Sequence, residues 1–408
     1  MQDLVDEIVG KASGVFIWVR VVVKSLLESL RNLDSVSDLK RRLHLLPADI
    51  EDLYDHMLAR VDPFYHPQAS LLLQIVVQAG GSLSAIQLFF ADEGVDAAIS
   101  PPTRPMTHLE QSEAILKLEK WLASRCAGLL DVEDEKVLIG DEVGQYVMMK
   151  KVQLMHRTVL DYLIRPPTWQ KPQLYVKDSS FVPIVSLLSS CILLLKRGPR
   201  FVPFQSHFHL VDAFMEHART AELIANESQG LLLNELDTTI RYIWGIKSPD
   251  DPLPLLRPIP QADSQETSNA RIFLVGEARY ARVYCNGRTS PVEDKGSNCL
   301  SSISALASQY GLQLYLENRL ENLDLEIKQD LSQSFLWIAM RPDPLDDIQP
   351  WHGYLVEMLL DKGANPNQPA NGRSPFEKLL DFGYRASSNW RQFLVKTSTD
   401  NICVAMWQ

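Results

Sequence analysis

Apolar side chains recur at helical spacing through the first part of the chain. Residues 13–31 are apolar around most of a helical circumference, which predicts a buried helix. Across residues 50–61 the apolar positions form one stripe with the period of an amphipathic helix. Residues 68–79 form a third apolar segment. Gly80 and Gly81 predict its end, because glycine readily adopts the backbone conformations that follow a helix.

A further helix is predicted to start at Ser84. Ser84 and Gln87 have the spacing of a capping box, in which each side chain satisfies a backbone N–H group of the other residue. Leu83 and Leu88 have the spacing of the hydrophobic staple that often accompanies such a start. After a proline-rich loop, residues 111–125 predict one more amphipathic helix.

The pattern then changes from helical to alternating. Residues 128–132, 136–139 and 145–156 predict short strands that are joined by acidic turns. Three helices followed by a small β-ribbon is the order of elements in a winged helix, with the ribbon as the wing. The last strand leads into another predicted helix, so His156 lies at the junction between them.

The second half of the chain is predicted to be helical on both sides of a linker. Residues 181–246 predict three helices. Residues 248–297 begin with a proline-rich stretch and a polar run, and they predict a linker followed by an irregular segment. The predicted fold class is therefore mainly α, with a small β wing.

The C-terminal part contains an internal repeat. Residues 354–367 closely resemble the second helix and β-turn of an ankyrin repeat, and residues 371–376 follow where the next repeat would begin. A weaker copy places Ala307 32 residues before Ala339, close to the ankyrin period of about 33. Residues 341–350 read as an inserted loop. Ankyrin units need stacked neighbours, so this short array is expected to rely on the preceding helices.

Charge and hydropathy exclude two kinds of partner. The net charge of −11 argues against nucleic acid, because phosphate binding needs a dense basic face. The helix at 111–125 carries acidic as well as basic side chains, so it has no basic stripe for DNA. The most apolar segments, 14–30 and 181–195, are interrupted or too short for a membrane span, which needs about 20 apolar residues.

The motifs of independent chemistry are missing from the sequence. It contains neither a G-x-x-x-x-G-K-[ST] loop nor a G-x-S-x-G elbow, so the chain is not expected to be an enzyme. His207, His209 and His217 have no acid or cysteine at metal-ligand spacing, and no metal is expected. Five cysteines without a C-x-x-C pair favour reduced thiols and a cytoplasmic protein.

Three spaced stretches resemble the region that follows the nucleotide-binding module in fungal NACHT proteins, which are NLR-like STAND switch ATPases. They are Gly-Val-Phe-Ile-Trp-Val at 14–19, Leu-Pro-Ala-Asp-Ile-Glu-Asp-Leu-Tyr at 46–54, and Val-Gln-Leu-Met-His-Arg-Thr-Val-Leu-Asp-Tyr-Leu at 152–163. In that family a winged-helix histidine reaches the phosphates of bound ADP and holds the closed state. The resemblance implies this role for His156, because a ring nitrogen is a directional donor to a phosphate oxygen. Arg157 is expected to pair with a phosphate or with a local acid, and a surface ion pair is the default for an arginine. The other interpretation is that His156 only caps the junction between the wing and the helix.

The resemblance implies a regulatory and sensing fragment of a switch whose motor is absent from this chain. The expected domains are the helical end of the NACHT lid, a winged helix, a helical connector, a linker with an irregular segment, and ankyrin-like repeats: residues 1–60, 61–165, 166–247, 248–297 and 298–408. No cofactor is expected in this chain, and ADP, ATP or GTP would bind only with the missing NACHT module. The expected partners are that module or a second copy of the chain. In the family this arrangement serves innate immunity, including heterokaryon incompatibility and programmed cell death.

The ankyrin-like repeats are expected to bind a protein ligand. The candidate contact residues are Trp337, Trp351, Asn365, Asn371 and Arg373. The alternative is a stand-alone ankyrin-type adaptor with no nucleotide role. Solubility separates the two, because the apolar faces of a fragment that has lost its partner should make it aggregate. The sequence starts about a dozen residues before a predicted buried helix, which favours a longer natural protein over a factor acting in trans.

Overall fold

A computed structural model of the chain describes most of residues 2–243 and several helices after residue 300. The described residues are 2–12, 15–31, 33, 35–100, 103–138, 146–175, 181–198, 204–243, 245, 302–321, 323–339, 353–369, 374, 375 and 377. The predicted linker and irregular segment at 248–297 and the predicted inserted loop at 341–350 lie outside them.

Helices dominate the described structure, and its sheet has three antiparallel strands, so the predicted mainly α class is confirmed. The helices are α1 (Gln2–Ala12), α2 (Phe16–Arg31), α3 (Val36–Leu45), α4 (Ile50–Leu58), α5 (His66–Gln78), α6 (Ala85–Ile99), α7 (His108–Arg125), α8 (Arg157–Leu163), α9 (Pro183–Arg197), α10 (Phe204–Ala225), α11 (Gly230–Ile243), α12 (Ser302–Tyr310), α13 (Gln313–Glu321), α14 (Leu325–Ala339) and α15 (Gly353–Asp361). The strands are β1 (Ser82–Ser84), β2 (Leu130–Leu138) and β3 (Tyr146–Leu154). Short 3₁₀ turns lie at Pro63–Tyr65 and Pro166–Gln170.

The chain divides into two compact units. The first unit contains Met1–Glu93, Met106–Leu138 and Gly144–Ser186. The second unit contains Gly94–Pro105, Ile139–Val143 and Leu187–Gln408. The sheet and helix α8 belong to the first unit, and helices α10 to α15 belong to the second.

Helix α2 confirms the helix that was predicted at residues 13–31, but its predicted burial is wrong on one face. Trp18 is fully buried and donates its indole N–H to the carbonyl oxygen of Pro47 at 2.6 Å. On another face Phe16 is 90% exposed and Leu27 is 51% exposed. The reason is that α1 and α3 pack against one side of α2 and leave this face to solvent in the described part of the chain.

Helix α4 begins at Ile50, where the apolar stripe predicts. Asp49 is its N-cap, and its Oδ1 atom accepts hydrogen bonds from the backbone N–H groups of Glu51 at 2.8 Å and Asp52 at 3.1 Å. Such a cap satisfies donors that the first turn leaves without helical partners. Leu53 and Tyr54 on the apolar stripe are completely buried, so the cap and the stripe together orient α4 in the first unit.

Helices α5, α6 and α7 confirm the three helices predicted before the ribbon. Gly80 and Gly81 end α5 with φ angles of +77° and +95°, a conformation that favours glycine. Ser84 caps α6 by accepting a hydrogen bond from the Gln87 backbone N–H at 3.2 Å. Helix α7 begins at His108 rather than at the predicted residue 111, because Thr107 forms a capping box with the third residue of the helix.

The ribbon differs from the prediction in two ways. Residues 128–132 and 136–139 are not separate strands, because β2 runs without a break from Leu130 to Leu138. Its acidic middle remains in the ladder because lysines lie opposite: Asp134 pairs in register with Lys150, and their charged atoms are 3.1 Å apart. The third strand, β1, is only three residues long and pairs with β3, which gives the order β1-β3-β2.

In the second unit, α9, α10 and α11 confirm the three helices predicted at 181–246. Lys196 near the end of α9 is 3% exposed. Its ammonium donates to the carbonyl oxygens of Ala98 at 2.7 Å and Ser100 at 3.2 Å, and it lies 2.6 Å from a carboxylate oxygen of Glu235 on α11. A single buried cation therefore joins the end of α6, α9 and α11.

Helices α12 to α15 pack as two pairs. Helix α12 contacts both α13 and α14, while α15 contacts α13 and α14. The Ser308 hydroxyl donates to the Phe335 carbonyl oxygen at 2.7 Å, and the Gln333 side chain bonds both the N–H and the carbonyl of Asn365 at 2.7 and 3.0 Å. The first bond joins α12 to α14, and the other two hold the turn after α15 against α14.

Candidate functional site

Met155, the residue before His156, forms hydrogen bonds through both its backbone N–H and its carbonyl oxygen. The backbone N–H of Met155 donates to the Leu129 carbonyl oxygen at 2.9 Å. The Met155 carbonyl accepts a hydrogen bond from the Arg20 guanidinium at 3.0 Å, and Arg20 also bonds Asp131 at 2.6 Å. The end of β3 is thereby tied to β2 and to α2, so the histidine that follows has a defined position.

His156 is the N-cap of helix α8. Its backbone is extended, with φ −165° and ψ 157°, and its Nδ1 atom accepts a hydrogen bond from the Thr158 backbone N–H at 3.2 Å. The same Nδ1 lies 2.9 Å from the Thr158 hydroxyl oxygen. His156 therefore caps the junction between strand and helix. This capping uses only one of its two ring nitrogens, and the residue as a whole is exposed.

Tyr54 extends this contact into the core of the first unit. Its hydroxyl lies 2.7 Å from the Thr158 hydroxyl oxygen, although the two residues are 104 positions apart. The Tyr54 ring packs against the Tyr162 ring with centroids 5.4 Å apart. Burial raises the pKa of Tyr54, and the hydrogen bond to Thr158 only partly opposes that shift. Tyr54 therefore keeps its proton and remains a donor at neutral pH.

A second polar cluster clamps α8 onto α4. The Tyr162 hydroxyl donates to the Asp55 carboxylate at 2.5 Å, and the Lys171 ammonium contacts both oxygens of that carboxylate at 2.5 and 2.6 Å. Burial, followed by the hydrogen bond to the negatively charged Asp55, raises the pKa of Tyr162. Arg165 pairs with Glu51 at 2.6 Å. These contacts attach the end of α8 and the turn that follows it to α4.

Arg157 is the exposed residue that follows the cap. Among the described residues it forms no ion pair, so the local acid proposed from the sequence is not found there. Arg157 therefore places a cationic residue directly after His156 in the sequence, and both residues are exposed. The site combines an exposed histidine with an exposed arginine, which is a combination that suits an anionic oxygen.

The remaining candidate residues fall in the second unit. Trp337 lies half-buried on α14, and Asn365 is exposed in the turn after α15. The backbone of Asn365 bonds Gln333, which lies one helical turn before Trp337 on α14. The Asn365 side-chain oxygen accepts from the Asn367 backbone N–H at 2.9 Å, so that side chain shapes the turn. Trp351, Asn371 and Arg373 lie outside the described residues.

Metal and thiol chemistry find no support in the described residues. No group of three His, Cys, Asp or Glu side chains there has the proximity of a metal site. His217 is partly buried, which lowers its pKa, and nothing is described of the His207 side chain. Burial raises the pKa of Cys126 and Cys191 to about 12, so neither thiol is activated at neutral pH.

Sequence reasoning found His156 but missed the residues that position it. Tyr54 was counted only as part of an apolar stripe, and Thr158 only as a member of the motif around the histidine. Their hydroxyl contact joins helices that are far apart in the sequence, and no local pattern encodes it. The Asp55–Lys171 contact was missed for the same reason.

No helix in the described part of the chain combines the length and apolar character that a membrane crossing requires. Residues 60–201 match a protein family described as "Domain of unknown function (DUF7791)". That range runs from just after α4 to just after α9 and includes His156, Thr158 and Lys171, but not Tyr54. No curated protein and no solved structure matches the chain.

Proposed function

We propose that this chain is a non-catalytic regulatory part of a NACHT-type nucleotide switch. In this proposal residues 61–165 act as a winged helix that closes over a separate nucleotide-binding module. His156 contacts a phosphate of ADP that the module holds, and Arg157 adds positive charge. The C-terminal helices bind a protein ligand, and the protein acts in the cytoplasm.

The observation that carries the proposal is that the helix cap uses only one of the two nitrogens of the His156 ring. The Nδ1 atom accepts a hydrogen bond from the Thr158 backbone N–H, and the residue as a whole is exposed. Helix capping by His156 does not require a cation next to it. Arg157 nevertheless follows His156 and forms no ion pair in the described structure. Phosphate oxygens favour such charge-assisted contacts.

Two features of the fold support the assigned parts. Helices α5, α6 and α7 precede the ribbon of β2 and β3, which is the order expected for a winged helix. In the second unit the helix pairs α12–α13 and α14–α15 stack on one another, as repeat units that share a core would do. The pinned turn at Asn365 exposes polar groups that a protein ligand could contact.

The proposal is tested on the native protein purified from its own cells with an antibody against this chain. We expect a nucleotide-binding module, in the same polypeptide or in a bound partner, and ADP in the purified complex. His156→Ala should reduce the retained ADP by about tenfold or more, because a charge-assisted hydrogen bond contributes about 1.5–3 kcal/mol. His44→Ala, at an exposed position of helix α3 where the ring pairs with Glu7, is the matched control and should leave ADP unchanged.

Absence of nucleotide from the complex, or equal retention of ADP by the unmodified protein and the His156→Ala variant, would contradict the proposal. The alternative function, a stand-alone ankyrin-type adaptor with no nucleotide role, would then be preferred. The exposed apolar face of α2 favours the switch, because a free-standing adaptor has no reason to leave such a face uncovered.

That face yields a prediction for the isolated chain. We expect the chain to self-associate at micromolar concentration, and the triple variant Phe16→Ser, Leu27→Gln, Leu33→Asn to be monodisperse with an unchanged unfolding midpoint. Phe16 and Leu33 are 90% and 92% exposed, and Leu33 has a φ of +64°, which asparagine tolerates better than leucine. Light scattering during size-exclusion chromatography provides the measurement.

The control carries the same kind of change in the second unit, at Leu223, Leu231 and Tyr242, which are 76%, 62% and 68% exposed. If the control variant abolishes self-association and the α2 variant does not, the apolar face of α2 is not responsible. A monodisperse unmodified chain would favour the adaptor.

A further inference from the structure

We propose that Tyr54 and Thr158 set the tautomer of His156, so that the ring holds a fixed Nε2–H donor towards an anionic oxygen at the surface. Both are positioning residues, since neither is placed to touch the anion itself. Only the identification of that anion with a nucleotide phosphate rests on the proposed function. The directions of the hydrogen bonds among Tyr54, Thr158 and His156 depend on this chain alone.

The Thr158 backbone N–H determines which ring nitrogen is unprotonated. It lies 3.2 Å from Nδ1 and can only donate, so Nδ1 must accept. A neutral imidazole has one acceptor nitrogen and one N–H. The proton is therefore on Nε2, at the far side of the ring from Thr158.

The two hydroxyl groups follow the same direction. The Thr158 hydroxyl lies 2.9 Å from Nδ1, which has no proton to offer, so the hydroxyl donates to it. The Thr158 oxygen can then accept from the Tyr54 hydroxyl at 2.7 Å. Tyr54 is fully buried, and the reverse order would leave its proton without an acceptor among the described residues.

The result is a directed chain from Tyr54 through Thr158 to the His156 ring. Its first member is fixed by burial in α4 and by the Tyr162 ring, while its last member is exposed. A donor that is already oriented loses less conformational freedom on binding than a ring that can rotate. Tyr54 on helix α4 thereby helps to determine which nitrogen of the exposed His156 ring carries the proton.

The test is nuclear magnetic resonance of the full chain with ¹⁵N-labelled histidine, in which long-range ¹H–¹⁵N correlations report the protonation of each ring nitrogen. His156→Gln identifies the His156 signals. At neutral pH we expect Nδ1 to be unprotonated and Nε2 to be protonated. Tyr54→Phe and Thr158→Val should each reduce the tautomer ratio by about 3- to 10-fold, the range that one hydrogen bond supplies. Thr158→Ser keeps the hydroxyl and should restore the ratio.

Tyr162→Phe is the matched control. It removes a hydroxyl from the other ring of the same aromatic pair, but that hydroxyl bonds Asp55 rather than Thr158, so the His156 tautomer should not change. A protonated Nδ1 in the unmodified chain overturns the inference. So does an unaltered tautomer ratio in both Tyr54→Phe and Thr158→Val. No nucleotide is used, so the result is independent of whether the switch proposal holds.

Discussion

Replacement of Lys196 by methionine is expected to lower the free energy of unfolding by about 3–5 kcal/mol, as measured by chemical denaturation. The ammonium is almost inaccessible, and it bonds two carbonyl oxygens and the Glu235 carboxylate. Methionine fills similar volume without any donor. The change would leave the carbonyl oxygens of Ala98 and Ser100 unsatisfied and the Glu235 charge without its partner.

The double variant Lys196→Met, Glu235→Leu separates two costs of the single change. One is the loss of the Lys196 hydrogen bonds, and the other is the burial of the Glu235 carboxylate without its partner. We expect it to recover part of the stability, because an apolar pair is often no less stable than a buried ion pair. Lys120→Met, at an exposed position of α7, is the matched control, with an expected change within about 0.5 kcal/mol. If Lys196→Met costs no more than Lys120→Met, Lys196 does not hold these elements together.

The second large effect concerns Glu222 and pH. Glu222 is 7% exposed, and burial raises the pKa of its carboxyl group to about 7, although the backbone N–H groups of Tyr315 and Leu314 favour the ionised form. The folded-state pKa lies above the unfolded value. The stabilisation is therefore fully present below about pH 4.5 and is lost as the pH rises through about 7.

From this group alone we expect about 2–3 kcal/mol less stability at pH 8 than at pH 4.5. Glu222→Gln should remove this component, because the amide remains neutral throughout and still offers an oxygen to the start of α13. Glu321→Gln, at an exposed position at the end of α13, should keep it. Denaturation curves at several pH values provide the measurement. A parallel pH dependence in the native chain and in Glu222→Gln would show that Glu222 does not ionise in this range.

The local signals in the sequence located elements well. The starts of α4 and α6 depend on Asp49 and Ser84, whose side chains satisfy backbone groups within the next three residues. The start of α7 was placed too late because Thr107 follows a proline-rich loop and its capping partner is polar. The unbroken strand β2 was missed because its acidic residues resemble a turn until the lysines of β3 lie opposite them.

Only part of the candidate site could be predicted from the sequence. His156 could be singled out because a strand leads directly into the helix that it caps. The contact between Tyr54 and Thr158, the residue that bonds the His156 ring, could not be predicted, because it forms only after α4 and α8 have packed together. The same holds for Asp55 and Lys171.

The sequence by itself determined the mainly helical class, the starts of α4 and α6, the end of α5 and the position of His156 between β3 and α8, because period, caps and glycines act within a few residues. The tertiary structure alone decided which apolar faces are covered, which charges are buried and which nitrogen of His156 bonds Thr158. Those properties arise from contacts between residues that are distant along the chain. The solvation of a charge and the direction of a hydrogen bond depend on all neighbours in space.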